Sequence, residues 1–288
     1  MSLLLRISLL LLSCSFLFLL YAVQYFYRSL KPRRFITPLQ PAYYGLPSEK
    51  IDLKTEDGIL LAGWFLRNQE SHNAIVICHG YPFDKGNVLP LAKFLFTQYN
   101  VLLFDFRAMG ESEGNLTTIG YLETLDLKSA VEWLKKRNMQ KIGVLGLSMG
   151  ASVALLECDN RGIQAIIADS PFSSLDELLS EMFQSLFFLG RIFKKFLIFL
   201  GRAFLHMDID KISPIEKISF SQSPILMIHG DQDHQISVNH SRRMKARYPD
   251  IEYWEIPGVH HVEAHDIFGE AYEKRVLNFL DSAFLKKG

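Results

Sequence analysis

The chain has 288 residues, enough to bury one large core, and its 31 basic and 31 acidic side chains cancel to a formal net charge of zero. That balance argues against nucleic acid as a partner. Three scattered cysteines, Cys14, Cys78 and Cys158, exclude a disulfide framework and a cysteine-built zinc site.

Residues 1–30 read as an N-terminal membrane anchor. Residues 7–27 carry no charge and are dominated by Leu, Phe and Ile; as a helix they would span about 30 Å, the thickness of a bilayer core. Tyr21, Tyr25 and Tyr27 gather at one end, where aromatic rings favour the interface. Arg28, Lys31, Arg33 and Arg34 outweigh Arg6, so the positive-inside rule places the following domain on the cytoplasmic side, with membrane lipid as a partner. Two rivals stand beside the uncleaved anchor. Leu11-Leu12-Ser13-Cys14 fits a lipoprotein cleavage box with Cys14 as acyl acceptor, although the apolar run continues beyond it. A cleaved signal peptide would want a shorter apolar core and a small-residue cleavage site.

Residues 31–48 contain Pro32, Pro38, Pro41 and Pro47 and are predicted to form an extended tether to a folded domain over 49–288. Residues 51–54 and 60–66 alternate like strands around a Glu56-Asp57-Gly58 turn. Residues 74–78 then form a continuous apolar run, the pattern of a parallel strand buried on both faces. A helix is predicted over 88–98, a strand over 101–104 and a helix over 121–137. Further strands are predicted at 141–145, 165–168, 224–228 and 251–256, with a last helix over 270–285. Strands alternating with helices after an antiparallel start imply one α/β domain: a mostly parallel, twisted sheet flanked by helices.

Between the strands at 165–168 and 224–228 the connection is too long for a simple loop and is predicted to hold a helical cap over about 174–222. Within it, residues 187–204 form a basic amphipathic helix. Arg191, Lys194, Lys195 and Arg202 share one side, and Phe193, Phe196, Leu197, Leu200 and Phe204 the other. Two roles stay open: a cap covering the active site, and a surface touching lipid headgroups. Phe172, Phe193 and Phe196 are the candidate substrate-pocket residues.

The chemistry centres on Gly146-Leu147-Ser148-Met149-Gly150, set between a strand-like and a helix-like run. Strand, G-x-S-x-G, helix is the context of a nucleophile elbow, in which a strained turn lifts a serine hydroxyl above the sheet. A serine needs a base, and the base an orienting acid. Both follow later strands, at His229-Gly230-Asp231-Gln232-Asp233 and at Pro257-Gly258-Val259-His260-His261. Asp231 or Asp233 could be the acid, and His260 or His261 the base.

From about residue 51 to residue 285 the chain resembles the α/β-hydrolase superfamily, and within it the membrane-anchored bacterial serine hydrolases of the serine-aminopeptidase and lysophospholipase-like groups. His79-Gly80-Tyr81-Pro82 resembles that family's HG loop, Asp105-Phe106-Arg107-Ala108-Met109-Gly110-Glu111-Ser112 its D-x-R-G-x-G-x-S block, and His229-Gly230-x-x-Asp233 its acid loop. The resemblance implies an α/β-hydrolase fold and a triad of Ser148, Asp233 and His261. It implies an oxyanion hole from the backbone N–H groups of Tyr81 and Met149. Asp231 then shapes its loop, His79 the HG loop, Asp105 and Arg107 the loop after their strand, and His234 and His265 take no part. Ala108 departs from the pattern, because glycine is usual there.

The implied function is a serine hydrolase that cleaves a small, apolar, lipid-like ester or thioester through an acyl-enzyme, with neither metal nor organic cofactor. A serine-aminopeptidase-type peptidase or amidase and a non-catalytic binding protein of the same fold are the alternatives.

Overall fold

The computed structural model describes residues 2–285. Eight strands form one sheet: β1 (Glu49–Lys54), β2 (Leu60–Leu66), β3 (Asn73–Cys78), β4 (Asn100–Phe104), β5 (Lys141–Leu147), β6 (Ala165–Asp169), β7 (Ile225–Gly230) and β8 (Glu252–Ile256). The helices are α1 (Leu3–Leu30), α2 (Leu89–Leu95), α3 (Glu123–Lys136), α4 (Met149–Leu156), α5 (Leu175–Met182), α6 (Phe187–Leu205), α7 (Pro214–Lys217), α8 (Asn239–Arg247), α9 (Ala264–Phe268) and α10 (Glu270–Leu285). The strand order is β1-β2-β4-β3-β5-β6-β7-β8. The β1–β2 and β2–β4 pairs are antiparallel and every later pair is parallel.

The apolar runs explain the layering. β4 and β6 are buried at every position, as a strand must be when helices cover both faces. One face packs on α3 and α4 through Val76, Val144, Leu127 and Val153. The other packs on α2 and α10 through Ile75, Leu145, Leu95 and Leu280. Cys78 and Cys158 are free thiols buried in the first of these cores. The chain between β6 and β7, the segment read above as a cap, holds α5, α6 and α7.

The N-terminal segment requires a correction. It is helical, but among the described residues no helix is long and apolar enough to cross a membrane. Its apolar run is interrupted by Ser8, Ser13 and Gln24. Its C-terminal turns are occupied by protein: Ala22 is fully buried, and Phe18, Tyr25 and Phe26 pack with Phe183, Phe193 and Leu197 of the cap. The side chain of Cys14 lies outside the described residues.

Residues 31–48 are docked on the domain. The Arg34 guanidinium donates to the carbonyls of Gly110, Ser112 and Gly114, and the Thr37 N–H donates to the Asp84 carboxylate at 2.6 Å.

Candidate active site

A parallel sheet directs the carboxyl ends of its strands to one edge, where ligands bind in folds of this kind. Four strand ends meet there: β3 leads to Tyr81, β5 to Ser148, β7 to Asp233 and β8 to His261. Ser148 sits at the junction of β5 and α4 with φ 54° and ψ −117°, a conformation that costs an L-residue on the order of 1–3 kcal/mol and persists only when its surroundings enforce it. The two glycines of the motif let those surroundings close in. A Cβ on Gly146 would lie 2.3 Å from the Gly150 carbonyl oxygen, and one on Gly150 would lie 2.3 Å from the Cys78 carbonyl oxygen. The Ser148 N–H is tied to the Asp169 carbonyl at 2.8 Å, so the turn is braced from β6 as well.

Three residues far apart in sequence line up across this edge. Ser148 Oγ is 2.9 Å from His261 Nε2, and His261 Nδ1 is 2.6 Å from Asp233 Oδ2. Asp233 Oδ1 accepts the N–H groups of Gln235 and Ile236 at 2.8 and 2.9 Å. Burial works against the charge on Asp233, but hydrogen bonds from His229, His261 and the Ile236 backbone outweigh it, holding the carboxyl well below its ordinary range. Of the competing residues, Asp231 caps the Gly258 N–H at 2.7 Å, and His260 faces the Gln232 carbonyl at 2.8 Å from an exposed position. His265 pairs with Glu273 at 3.2 Å, and the His234 ring lies 5.5 Å from the His260 ring.

The HG loop is fixed by a buried histidine. His79 Nε2 accepts the Phe106 N–H at 3.0 Å, so its Nδ1 carries the proton and donates to the Gly80 carbonyl at 2.8 Å. Burial lowers the pKa of this imidazole and keeps it neutral. Asp105 accepts the Lys85 backbone N–H, the Lys85 ammonium and the Glu111 N–H at 2.6, 2.6 and 2.8 Å. Arg107 forks onto Asp126 and Asp57. Tyr81 and Met149 line the same cavity as Ser148, and Met149 opens α4, whose first-turn N–H groups have no intrahelical acceptor.

His229 is a residue whose importance its sequence did not reveal. Its Nε2 lies 2.9 Å from the Ile236 carbonyl and 3.2 Å from Asp233 Oδ2, while Nδ1 meets Ser241 Oγ at 2.7 Å. The Asp233 carboxylate therefore sits between two imidazoles. The His-Gly-x-x-Asp spacing was the available signal, but it served only to locate the acid.

Two cavities meet at Ser148. One, of about 480 Å³, is lined mainly by apolar groups from α1, α5 and the end of α6, together with Phe172, Tyr81, Met149 and His261. The other, of about 380 Å³, runs past Phe83, Asn87, Glu263 and Asp266. Phe172 thus lines the apolar cavity as expected. Phe193 and Phe196 are corrected: neither lines it. Phe193 is drawn into the contact with α1, its ring 5.6 Å from Phe18, 5.5 Å from Tyr25 and 4.9 Å from Phe183. Phe196 stacks on Phe199 at 6.3 Å. The α6 positions that reach the cavity are Leu197 and Gly201, one and two turns further on. Among the described residues, no cluster of three or more His, Cys, Asp or Glu side chains could hold a metal ion.

The chain is similar to known proteins in sequence and in fold. The model of the alpha/beta hydrolase family matches residues 75–274. YqkD of Bacillus subtilis is 31% identical over 238 residues, covering 78% of this chain and 76% of that protein. YfhR of Escherichia coli K12 is 29% identical over 252 residues, covering 82% and 81%. Among solved structures, the Pyrococcus furiosus esterase Pf2001 superposes with a TM-score of 0.73 at 30% identity, covering 88% of this chain and 97% of that one.

Proposed function

Because the chain belongs to the alpha/beta hydrolase family, we propose that it is a serine hydrolase cleaving a carboxylic ester or thioester with an apolar acyl part. The observation that carries this reading is the row Ser148–His261–Asp233, at 2.9 and 2.6 Å, opening beneath an apolar cavity. The likeness to Pf2001, an esterase of Pyrococcus furiosus, supports it.

In this reading His261 Nε2 takes the Ser148 proton as Oγ attacks the substrate carbonyl carbon, while Asp233 holds the Nδ1–H and stabilises the imidazolium. The tetrahedral oxyanion is met by the Tyr81 and Met149 N–H groups. Collapse breaks the bond to the leaving group, which takes the proton from His261 and departs. Water then repeats the sequence on the acyl-enzyme: His261 accepts its proton, the acid leaves and Ser148 is restored. The test is labelling of the full chain with a fluorophosphonate, followed by a panel of short esters, long-chain esters, acyl thioesters and aminoacyl amides. Labelling with turnover of esters or thioesters is expected. Absence of labelling would leave a binding protein, and preferential turnover of the amides would make it a peptidase.

We also infer a lipid surface as partner. Leu10, Leu12, Phe16 and Leu17 on α1 and Phe187, Phe188, Phe199 and Phe204 on α6 are exposed, with the exposed cations Arg191 and Lys195 among them. Co-flotation of the full chain with anionic vesicles, weakened by Arg191→Glu and Lys195→Glu, is expected. Recovery entirely apart from the vesicles would refute it.

A further inference from the structure

The apolar cavity over Ser148 is walled on one side by the N-terminal helix. Tyr25, Phe26, Ser29 and Leu30 all line it, and their spacing puts them on one face of the last two turns of α1. These turns are fastened to the catalytic domain. The Tyr81 phenol donates to the Ser29 carbonyl at 3.2 Å, and the Thr117 N–H donates to the Leu30 carbonyl at 2.8 Å. Both acceptors belong to the end of a helix, where carbonyls lack intrahelical partners. Tyr81 also lines the cavity alongside Ser148, and in the reading above its backbone N–H serves the oxyanion. The wall is therefore registered against the reacting centre.

Across the cavity stands α6, and where the two helices face each other there is room. A Cβ added to Gly201 would meet nothing closer than 3.6 Å, and the Phe26 ring lies 4.0 Å away. Glycine in mid-helix costs about 1 kcal/mol against alanine, so the space left open in front of Gly201 comes at the expense of stability.

We propose that α1 is a working wall of the acyl site and sets the chain length of the substrate. The acyl chain lies between α1 and α6, with its far carbons against Phe26 and Gly201. This rests on the acyl-hydrolase reading above. It adds that the substrate carries a medium or long unbranched acyl chain, and that Phe26 and Ser29 determine specificity.

The experiment compares kcat/KM of the full chain for p-nitrophenyl decanoate and p-nitrophenyl acetate. Ser29→Phe fills the cavity from α1, and each methylene it displaces costs about fourfold, so the decanoate-to-acetate ratio falls about tenfold or more. Phe26→Ala lengthens the cavity and moves the best substrate to longer chains. Val23→Phe, on the exposed side of α1, leaves the ratio as in the parent. Ratios within twofold of the parent in both Ser29→Phe and Phe26→Ala, with acetate still hydrolysed, overturn the proposal. If Ser29→Phe does not fold, Phe26→Ala decides. A parent that hydrolyses neither ester removes the acyl-hydrolase reading itself, and the chain-length role with it.

Discussion

The two halves of the cleft are built on different principles. The catalytic half hangs from the ends of β3, β5, β7 and β8 and is fixed by backbone: Ser148 by a turn that only Gly146 and Gly150 permit, Asp233 by two amides and His229. The half proposed to hold the acyl chain is made of side chains on α1, α5 and α6, which meet chiefly ring against ring at Phe18, Tyr25, Phe183 and Phe193. Directional hydrogen bonds hold reacting atoms to a few tenths of an ångström, whereas aromatic packing tolerates sliding. In the proposed reading, the half that does chemistry is the rigid one and the half that selects can vary.

That contrast is open to attack from both sides. Ser148→Ala should lower turnover of any ester by about 10⁴-fold or more, because the remaining groups retain only orientation and oxyanion stabilisation. Its melting temperature should stay within a few degrees of the parent, since among the described residues Ser148 Oγ hydrogen-bonds only to the half-buried His261. Comparable loss of stability would mean that the hydroxyl holds the fold together. On the other half, Phe193→Ala removes a buried ring and should cost about 3–5 kcal/mol. The cost should be local: hydrogen exchange should rise in α1 and α6 while β5 and β7 stay protected. Uniform loss of protection would show that the halves unfold together.

The same contrast governs what could be read from the amino acids. β3, β4 and β6 announce themselves as short, unbroken apolar runs, and the strand–elbow–helix pattern places Ser148, because each signal is local and backbone-driven. The third and fourth strand ends also identify Asp233 and His261 once a resemblance says which of two neighbours to take. The position of α1 left no such mark. Its apolar run reads as a bilayer anchor, since burial against Phe193 and exposure to lipid demand the same side chains. Helical periodicity alone points Phe193 and Phe196 to the pocket. Periodicity gives the side of a helix but not what lies against it, and Leu197 and Gly201 reach the cavity in their place. His229 was obscured for a third reason: a histidine at a strand end reads as a marker until the carboxylate beside it is seen.

A smaller test sharpens the rigidity of the catalytic half. Asp169 ends β6 fully buried, and burial, only partly offset by hydrogen bonds from Ser170 and Tyr272, raises its pKa to about 6. Its folded-state value exceeds the unfolded value near 3.8, so protonation favours the native state. This stabilisation is complete below the unfolded pKa and is lost as pH rises through about 6. A shift of about two units corresponds to roughly 3 kcal/mol. Asp169→Asn should therefore stabilise the protein at pH 8 by up to that amount. The gain should shrink toward zero near pH 4, read as the difference in melting temperature between variant and parent. A difference independent of pH would show that the carboxyl is solvated rather than buried.

The smallest effect concerns the one position where the chain departs from the pattern it otherwise follows. Ala108 has φ 61°, is almost wholly buried, and its N–H donates to the Glu113 carbonyl at 2.8 Å. The turn thus keeps the left-handed geometry that glycine adopts freely, and alanine bears it at about 1–2 kcal/mol. Ala108→Gly relieves that strain but gives the unfolded chain more freedom, which returns about 0.5–1 kcal/mol. The net gain should be small, about 0.5–1 kcal/mol, and visible as a raised midpoint in urea with an unchanged slope. The neighbouring Arg107 forks to Asp126 and Asp57 from the same turn, so a destabilised variant would mean that the alanine methyl packs where those ion pairs need it. In either case turnover should not move, because this loop braces the β4 end of the sheet without lining either cavity beside Ser148.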